Sequence, residues 1–300
     1  MPESHGSASE LLILGGDDVR RLMPMMDCIE IVDTAMRAVS RGNAELPLRF
    51  GLFVPGTRNI LAVMPGFLGQ PRSLGAKVIA VFPENAGRGL SSHLGIVVLF
   101  DPDSGVPVAI LDAAAITGLR TAAASAVATR ALAREDAGHL AILGTGEQAA
   151  AHVQAIAAVR TLRAVTVWGR SPEKARAFAD RESRAAGMPI AVADEVEMAV
   201  AGADIVCTTT SSTESILRGA WIRRGTHVNL VGASAATSRE ADESLVAKSG
   251  FYVDLRASAL AQAGELLEAM GSFAAQHIRG EIGQVLNGDV AGRTNDAEVT

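Results

Sequence analysis

The distribution of apolar positions changes character near residue 139. Before it, short apolar runs follow one another with little between them but turn formers: 48–54, 59–64, 74–82 and 96–100. Each predicts a strand, and Asp101-Pro102-Asp103-Ser104-Gly105 joins the last to 106–111 as a hairpin loop. Strands without intervening helices predict a largely antiparallel sheet. Ahead of them, Asp27-Cys28-Ile29-Glu30 has the form of a capping box. Ile29, Val32, Met36 and Val39 then recur at helical spacing until Gly42 stops the helix. Residues 116–132 read as a helix leading from one region to the other.

From 139 onward the period alternates. Strands are predicted at 140–143, 165–168, 190–192, 205–208, 227–231 and 251–254, with helices mostly between them. The fold class is α/β, with a doubly wound parallel sheet of Rossmann type.

The first of these strands runs into Gly144-Thr145-Gly146-Glu147-Gln148-Ala149 and then an alanine-rich helix. This is G-x-G-x-x-A between a strand and a helix, where it carries a dinucleotide reading. Gly144 permits a tight turn, Gly146 lets backbone approach a pyrophosphate, and Ala149 keeps helix close to strand. The free N–H groups of the first helical turn then receive phosphate. At the end of the second strand no acid stands ready for a ribose 2′-hydroxyl. Arg170 and Ser171 offer a cation and a hydroxyl to a 2′-phosphate, so NADP is favoured, with NAD as the alternative. Ser171 also suits the N-cap of the next helix, with Pro172 at its first position. Thr208, Thr209 and Thr210 end the fourth strand, where ligands bind in this fold and their hydroxyls would line a nicotinamide site; the same triplet suits a plain strand end.

Composition narrows the partners. A net charge of −6 with no basic run predicts neither nucleic acid nor anionic membrane as partner, and no apolar stretch is long enough to span a bilayer. The start, MPESHGSASE, lacks the pattern of a secretory signal, and Cys28 and Cys207 have neither metal nor redox spacing. They read as reduced core residues of a cytoplasmic protein. His5, His139, His152, His227 and His277 show no metal spacing either, and no metal is expected.

Three cations stand among apolar or small neighbours: Arg49 in PLRFG, Lys77 in LGAKVI and Arg120 in TGLRTA. Singly, each suits a snorkelling side chain or a local ion pair. Together, in a region attached to a dinucleotide fold, they suit a carboxylate receptor.

The chain resembles the ornithine cyclodeaminase/mu-crystallin family from about Leu12 onward. The resemblance is carried by PLR (47–49), GAKV (75–78), FPEN (82–85), SSH (91–93), LFDPDSG (99–105), ITGLRTAAASA (116–126), LGTGEQA (143–149), NLVGAS (229–234) and GRTND (292–296). It implies an α+β substrate-binding and dimerisation domain over 1–122 and 281–300, a Rossmann domain over 123–280, and a homodimer. It also implies that Arg49, Lys77 and Arg120 hold a substrate carboxylate and that Thr121 lies near the cofactor phosphates. Cyclodeaminases carry an aspartate where this chain has Ser234, in the stretch Gly232-Ala233-Ser234. With SSH at 91–93 and the WGRS strand end, the pattern looks more like the NADPH-dependent ketimine reductases. One departure is Leu94, where those relatives carry a glutamine. His93 reads either as a substrate contact or as a hydrogen-bonded loop histidine.

The expected function is NADPH-dependent reduction of small cyclic imino acids, 1-pyrroline-2-carboxylate or 1-piperideine-2-carboxylate, with Lys77 the best placed to supply or orient a proton. The alternatives are an amino-acid dehydrogenase, an ornithine cyclodeaminase, and a crystallin-like ligand-binding protein without turnover. At the chain's end, Asn295-Asp296-Ala297-Glu298 has the cap and acid of a helix N-terminus. The sequence then stops at Thr300, so it is either cut short there or frayed.

Overall fold

The computed structural model describes residues 10–300 except Gly89, Ser92 and Ser234, with the side chains of 86–88 also set aside. The chain packs as two compact units. In the first (10–24 and Gly42–Thr117), the strands are β1 (Leu12–Leu14), β2 (Ala44–Glu45), β3 (Phe50–Phe53), β4 (Ile60–Gly69), β5 (Arg72–Val81), β6 (His93–Phe100) and β7 (Pro107–Asp112). They form one sheet in the order β1-β7-β6-β5-β4-β2, with β3 also on β4. Every pairing but β1 with β7 is antiparallel, as the run of strands predicts. The short strands β1 and β2 escape the sequence pattern. The helix α1 (Gly16–Leu22) follows β1.

The second unit gathers Met25–Arg41 and Gly118–Thr300. The division therefore runs elsewhere than at 122/123 and 280/281. The helix α2 (Met25–Ser40) is the reason: Ile29 on its apolar face is fully buried, and Asp33 receives Arg37 at 2.5 Å and Arg130 at 2.8 Å. Arg37 also donates to the carbonyl of Leu286, and Ser40 to Glu281 at 2.7 Å. Burial of such an aliphatic contributes about 1.5–3 kcal/mol, more than any of α2's exposed ion pairs. The helix α3 (Ala113–Leu132) runs from the first unit into the second.

Within the second unit, β8 (His139–Leu143), α4 (Glu147–Val159), β9 (Ala164–Trp168), α5 (Pro172–Ala186), β10 (Ile190–Val192), β11 (Ile205–Thr208) and β12 (His227–Leu230) build a five-stranded parallel sheet. Its order β10-β9-β8-β11-β12 reverses direction between β8 and β11. Both faces are covered, which is why β8 is apolar at every position from Leu140 to Leu143. Leu140 and Ile142 pack with Val153, Ile156 and Phe178 on one side; Ala141 and Leu143 pack with Val200, Leu217 and Leu245 on the other. The sixth predicted strand, β13 (Phe251–Val253), does not join this sheet. It pairs with β14 (Ile278–Glu281), over a small core of its own that includes Leu266 and Ala274.

The last residues are not frayed. Residues 295–297 form a turn in place of the predicted helix start. Thr300 accepts from Val228 N at 2.8 Å and donates its own N–H to Thr226, while Val299 is 6% exposed. Glu298 does not cap a helix; it accepts from Thr294 N at 2.7 Å and pairs with Arg279.

Two buried histidines give this unit an acid limit. His152 on α4 faces the Gln148 carbonyl at 2.7 Å through Nδ1 and Ser125 Oγ on α3 at 2.9 Å through Nε2. A carbonyl can only accept, so Nδ1 carries the proton and Nε2 accepts from the serine. Burial pushes the His152 pKa down to about 4, and that of His227 to about 3. A pKa depressed by folding favours the neutral ring in the folded state, so stability is lost as pH falls below the unfolded value near 6.5. Replacing His152 by glutamine should flatten the acid limb of urea unfolding by up to ~1.4 kcal/mol per pH unit between pH 6.5 and about 4. Parallel acid limbs in wild type and variant would show that His152 carries none of it.

Candidate functional site

β8 leads directly into the glycine turn. Gly144 has φ +127°, and a Cβ on it would stand 2.7 Å from Thr209 Oγ1 and 2.8 Å from the Thr209 carbonyl oxygen. Only glycine lets the turn pass this close to the end of β11. The Gly144 N–H donates to Trp168 O at 2.8 Å, tying the turn to the end of β9 as well. Gly146 is the converse case. Its φ of −88° suits any residue, yet a Cβ there would meet nothing within 4 Å. That open space lies at the N-cap of α4, which has no side-chain cap hydrogen bond. The first-turn N–H groups are thus available to an acceptor from outside the helix.

A second observation points the same way. The Thr121 hydroxyl on α3 is buried and has no hydrogen-bond partner among the described residues. An uncompensated buried hydroxyl costs free energy unless something else completes it. The fit to a dinucleotide itself rests on the turn: open space at Gly146 and an uncapped first turn of α4 are what a pyrophosphate needs, and the residues present fit one.

The remaining sequence-predicted cofactor residues fall as follows. Ala149 is fully buried against the sheet, Thr145 and Gln148 are half-buried, and Glu147 is exposed in the first turn of α4. Ser171 is the N-cap of α5, accepting from Lys174 N at 3.3 Å with Pro172 following, and Arg170 beside it is exposed. Thr208 is fully buried and accepts from Val231 N at 3.4 Å, and Thr209 Oγ1 donates to Leu143 O at 3.0 Å. These two hydroxyls stitch strand ends together.

In the first unit, strand alternation sorts the polar candidates. Lys77 pairs with Met64 and Val97, two steps from Ile79, which pairs with Ala62 and Gly95. His93, opposite Val81, falls on the same face, which also carries the buried Ala62 and Ile79. Arg49 lies one step beyond β3, where continued alternation puts it on that side too. Lys77 is half-buried and donates to Thr117 Oγ1 at 3.3 Å. Arg120, one turn further along α3, is exposed; its charge eases the upward push that burial gives the Cys28 thiol on α2. Ser234 lies outside the described residues.

The opposite face of the same sheet is apolar and open. Leu52, Leu61, Ala80 and Leu94 form one cross-strand row, and Phe50, Val63, Val78 and Ile96 the next. Phe50 is 66% exposed and Ile96 43%. Leu94, the departure from the ketimine reductase pattern, belongs to this face and not to the side of Lys77.

One buried acid at the ends of β11 and β12 escaped the sequence reading. Glu240 is fully buried, accepting from Thr210 N at 2.7 Å and Thr210 Oγ1 at 2.5 Å through Oε1, and from Gly232 N at 2.7 Å through Oε2. Its surroundings in the sequence, TSREADES, look like a solvated polar stretch and give no sign of burial. Next to it, burial first and then the Glu240 charge raise the Glu265 pKa against the pull of backbone hydrogen bonds.

Comparison with known proteins bears on this arrangement directly. The Delta(1)-pyrroline-2-carboxylate reductase of Bacillus cereus is 36% identical over 293 residues, covering 97% of this chain and 90% of that protein. Among solved structures, the Thermococcus litoralis Delta(1)-pyrroline-2-carboxylate reductase, in complex with NADH and L-proline, matches with a TM-score of 0.91 and 33% identity, over 96% of this chain and 90% of that one. An archaeal alanine dehydrogenase dimer with bound NAD matches at 0.90 and 28% identity, over 97% and 89%. The model of the ornithine cyclodeaminase/mu-crystallin family matches residues 10–300, and the chain belongs to that family.

Proposed function

We propose that this protein is an NAD(P)H-dependent reductase of small cyclic imino acids, converting 1-pyrroline-2-carboxylate or 1-piperideine-2-carboxylate to the corresponding cyclic amino acid. The observation that carries this reading is a dinucleotide-fitting glycine turn in a chain whose relatives by sequence and structure are Delta(1)-pyrroline-2-carboxylate reductases. Arg49, Lys77 and Arg120 would hold the substrate carboxylate by charge-assisted hydrogen bonds. The bound nicotinamide supplies a hydride to the imine carbon. Lys77 keeps a proton on the ring nitrogen, so the carbon stays electrophilic and the C=N electron pair ends as the amine lone pair. His93 would contact the substrate from the same sheet face. Ser234 replaces the cyclodeaminase aspartate, and a lone hydroxyl is a poor base for the primary amine that cyclodeamination must oxidise. The chain should therefore favour a substrate that arrives as an imine.

The deciding measurement is loss of NADPH absorbance with 1-pyrroline-2-carboxylate, set beside formation of proline and ammonia from ornithine. Ornithine turnover matching or exceeding imine reduction would overturn the reading. An absolute need for free ammonia with a 2-oxo acid would instead single out an amino-acid dehydrogenase.

The preference for NADPH rests on Arg170 and Ser171 at the end of β9 and on the lack of an acid there. Arg170→Ala should weaken NADPH by roughly tenfold or more, as expected on losing a charged hydrogen-bond partner, and leave NADH nearly unchanged. Equal losses would contradict it.

A homodimer is supported by the open apolar face of Phe50, Leu52, Leu61, Leu94 and Ile96, an area a lone subunit would leave in water. A charge at its centre, Ile96→Asp, should leave a monomer on sedimentation; an unchanged dimer would move the interface elsewhere. Two buried free cysteines are in keeping with a cytoplasmic setting.

A further inference from the structure

The switch in strand order between β8 and β11 divides any dinucleotide bound at the sheet's carboxyl edge into two halves. One half lies over β8, β9 and β10, beginning at the glycine turn. The other lies over β11 and β12, where the chain continues through Thr209 and Thr210 and through Val231 and Gly232. The second half has no glycine signature to shape it. Beyond the strand ends that Thr208 joins, a buried side chain holds the two loops that follow.

That side chain is Glu240. Its two oxygens receive three donors, Thr210 N, Thr210 Oγ1 and Gly232 N, all within 2.7 Å. Its own N–H donates to Glu265 Oε1 at 3.0 Å, which fixes the backbone from which the carboxylate reaches out. Thr210 Oγ1 also accepts from Ser212 N at 3.1 Å. The loop after β11 is tied back as well, because Thr209 N and Oγ1 both donate to Leu143 O and Thr209 is the atom group that presses on Gly144. A continuous chain of contacts therefore runs from the glycine turn through Thr209 and Thr210 to Glu240 and on to Gly232. Each of the three donors that reach Glu240 thus ends on one of its two carboxyl oxygens.

We infer that Glu240 is a positioning residue for the nicotinamide half of the bound dinucleotide, clamping the loops that follow β11 and β12. It touches neither substrate nor cofactor; it acts through Thr210 and Gly232. The inference deepens the dinucleotide part of the proposed function and does not depend on the identity of the imino acid.

The test compares whole dinucleotide with its adenosine half. Binding of NADPH, NADH, adenosine 2′,5′-bisphosphate and ADP-ribose is measured on the full chain for wild type, Glu240→Gln and Thr210→Val. In Glu240→Gln an amide N–H₂ must face a backbone N–H, so one loop is released. Thr210→Val removes only the hydroxyl and keeps the backbone bond, and its nearly equal shape guards against failure to fold. The dinucleotide that wild type prefers should weaken by roughly tenfold or more in Glu240→Gln and by about threefold in Thr210→Val, the scale of one charged and one partial hydrogen-bond loss. The adenosine-half ligands should stay within about twofold in both. Equal weakening of whole and half ligands, or no weakening of either, overturns the inference. A wild type that binds dinucleotide but leaves imino acids untouched refutes the imine reading alone, and the ligand comparison still decides Glu240.

Discussion

Lys77→Met should lower turnover of a cyclic imino acid by roughly 10²–10⁴-fold, the span of a positioned general acid, while dinucleotide binding stays near wild type. The side chain emerges from the middle of β5 between Met64 and Val97 on the neighbouring strands and hydrogen-bonds Thr117. Its half-buried position on a face shared with Ala62 and Ile79 would give a charge-assisted hydrogen bond to a substrate carboxylate more weight than the same bond in open solvent. Methionine keeps the unbranched apolar stem, so the sheet has no reason to rearrange. Lys77→Arg should separate two roles. A guanidinium still binds carboxylate but does not give up its proton, so KM should recover more than kcat. A Lys77→Met enzyme working within about tenfold of wild type would remove Lys77 from the chemistry.

The second large effect is expected at Gly146. Gly146→Val should weaken dinucleotide binding on the order of a hundredfold, because backbone must approach the pyrophosphate there, with thermal stability almost unchanged. The reasoning is local: φ is −88°, any residue can adopt it, and the added atoms enter space that holds no protein. Gly144 differs in kind. Any side chain at φ +127° would also drive into Thr209, so Gly144→Val should impair folding and binding together. Calorimetry and fluorescence titration on the two variants would separate the cases. If Gly146→Val binds NADPH as wild type does, the pyrophosphate does not sit at that turn.

Where a pattern repeats along the chain, the sequence could be read closely. The strands of the parallel sheet fall within a residue of their predicted limits, because burial on both faces keeps them mostly apolar, without a break in β8 from Leu140 to Leu143. β13 was legible as a strand and misassigned to the main sheet, since pairing partners leave no trace in a three-residue apolar run. The glycine turn could be read because φ and close approach restrict those positions to one residue type. Glu240 could not, because burial of an acid depends on donors brought from residues 210 and 232. The same holds for Asp204 at the opposite edge of the sheet. Burial works against its charge, but the N–H groups of Gly138 and His139 with Arg223 and Arg134 hold its carboxyl below the usual range. Lys77 and His93 were legible as residues of interest, and strand alternation supplies what spacing could not, the face they share.

The placement of α2 sets a schedule for synthesis. This helix leaves the ribosome early, between two segments of the other unit, yet the carbonyl that Arg37 binds belongs to Leu286, 249 residues later. At about 5–20 residues per second, that partner is made some 10–50 s after the helix. For that interval the partners of Arg37 and Ser40 at Leu286 and Glu281 are missing, while the first sheet, whose strands all lie before residue 113, can already close. The nascent chain thus carries a finished sheet and a helix still short of its last partners, and a chaperone that grips amphipathic helices would find its target at residues 25–40.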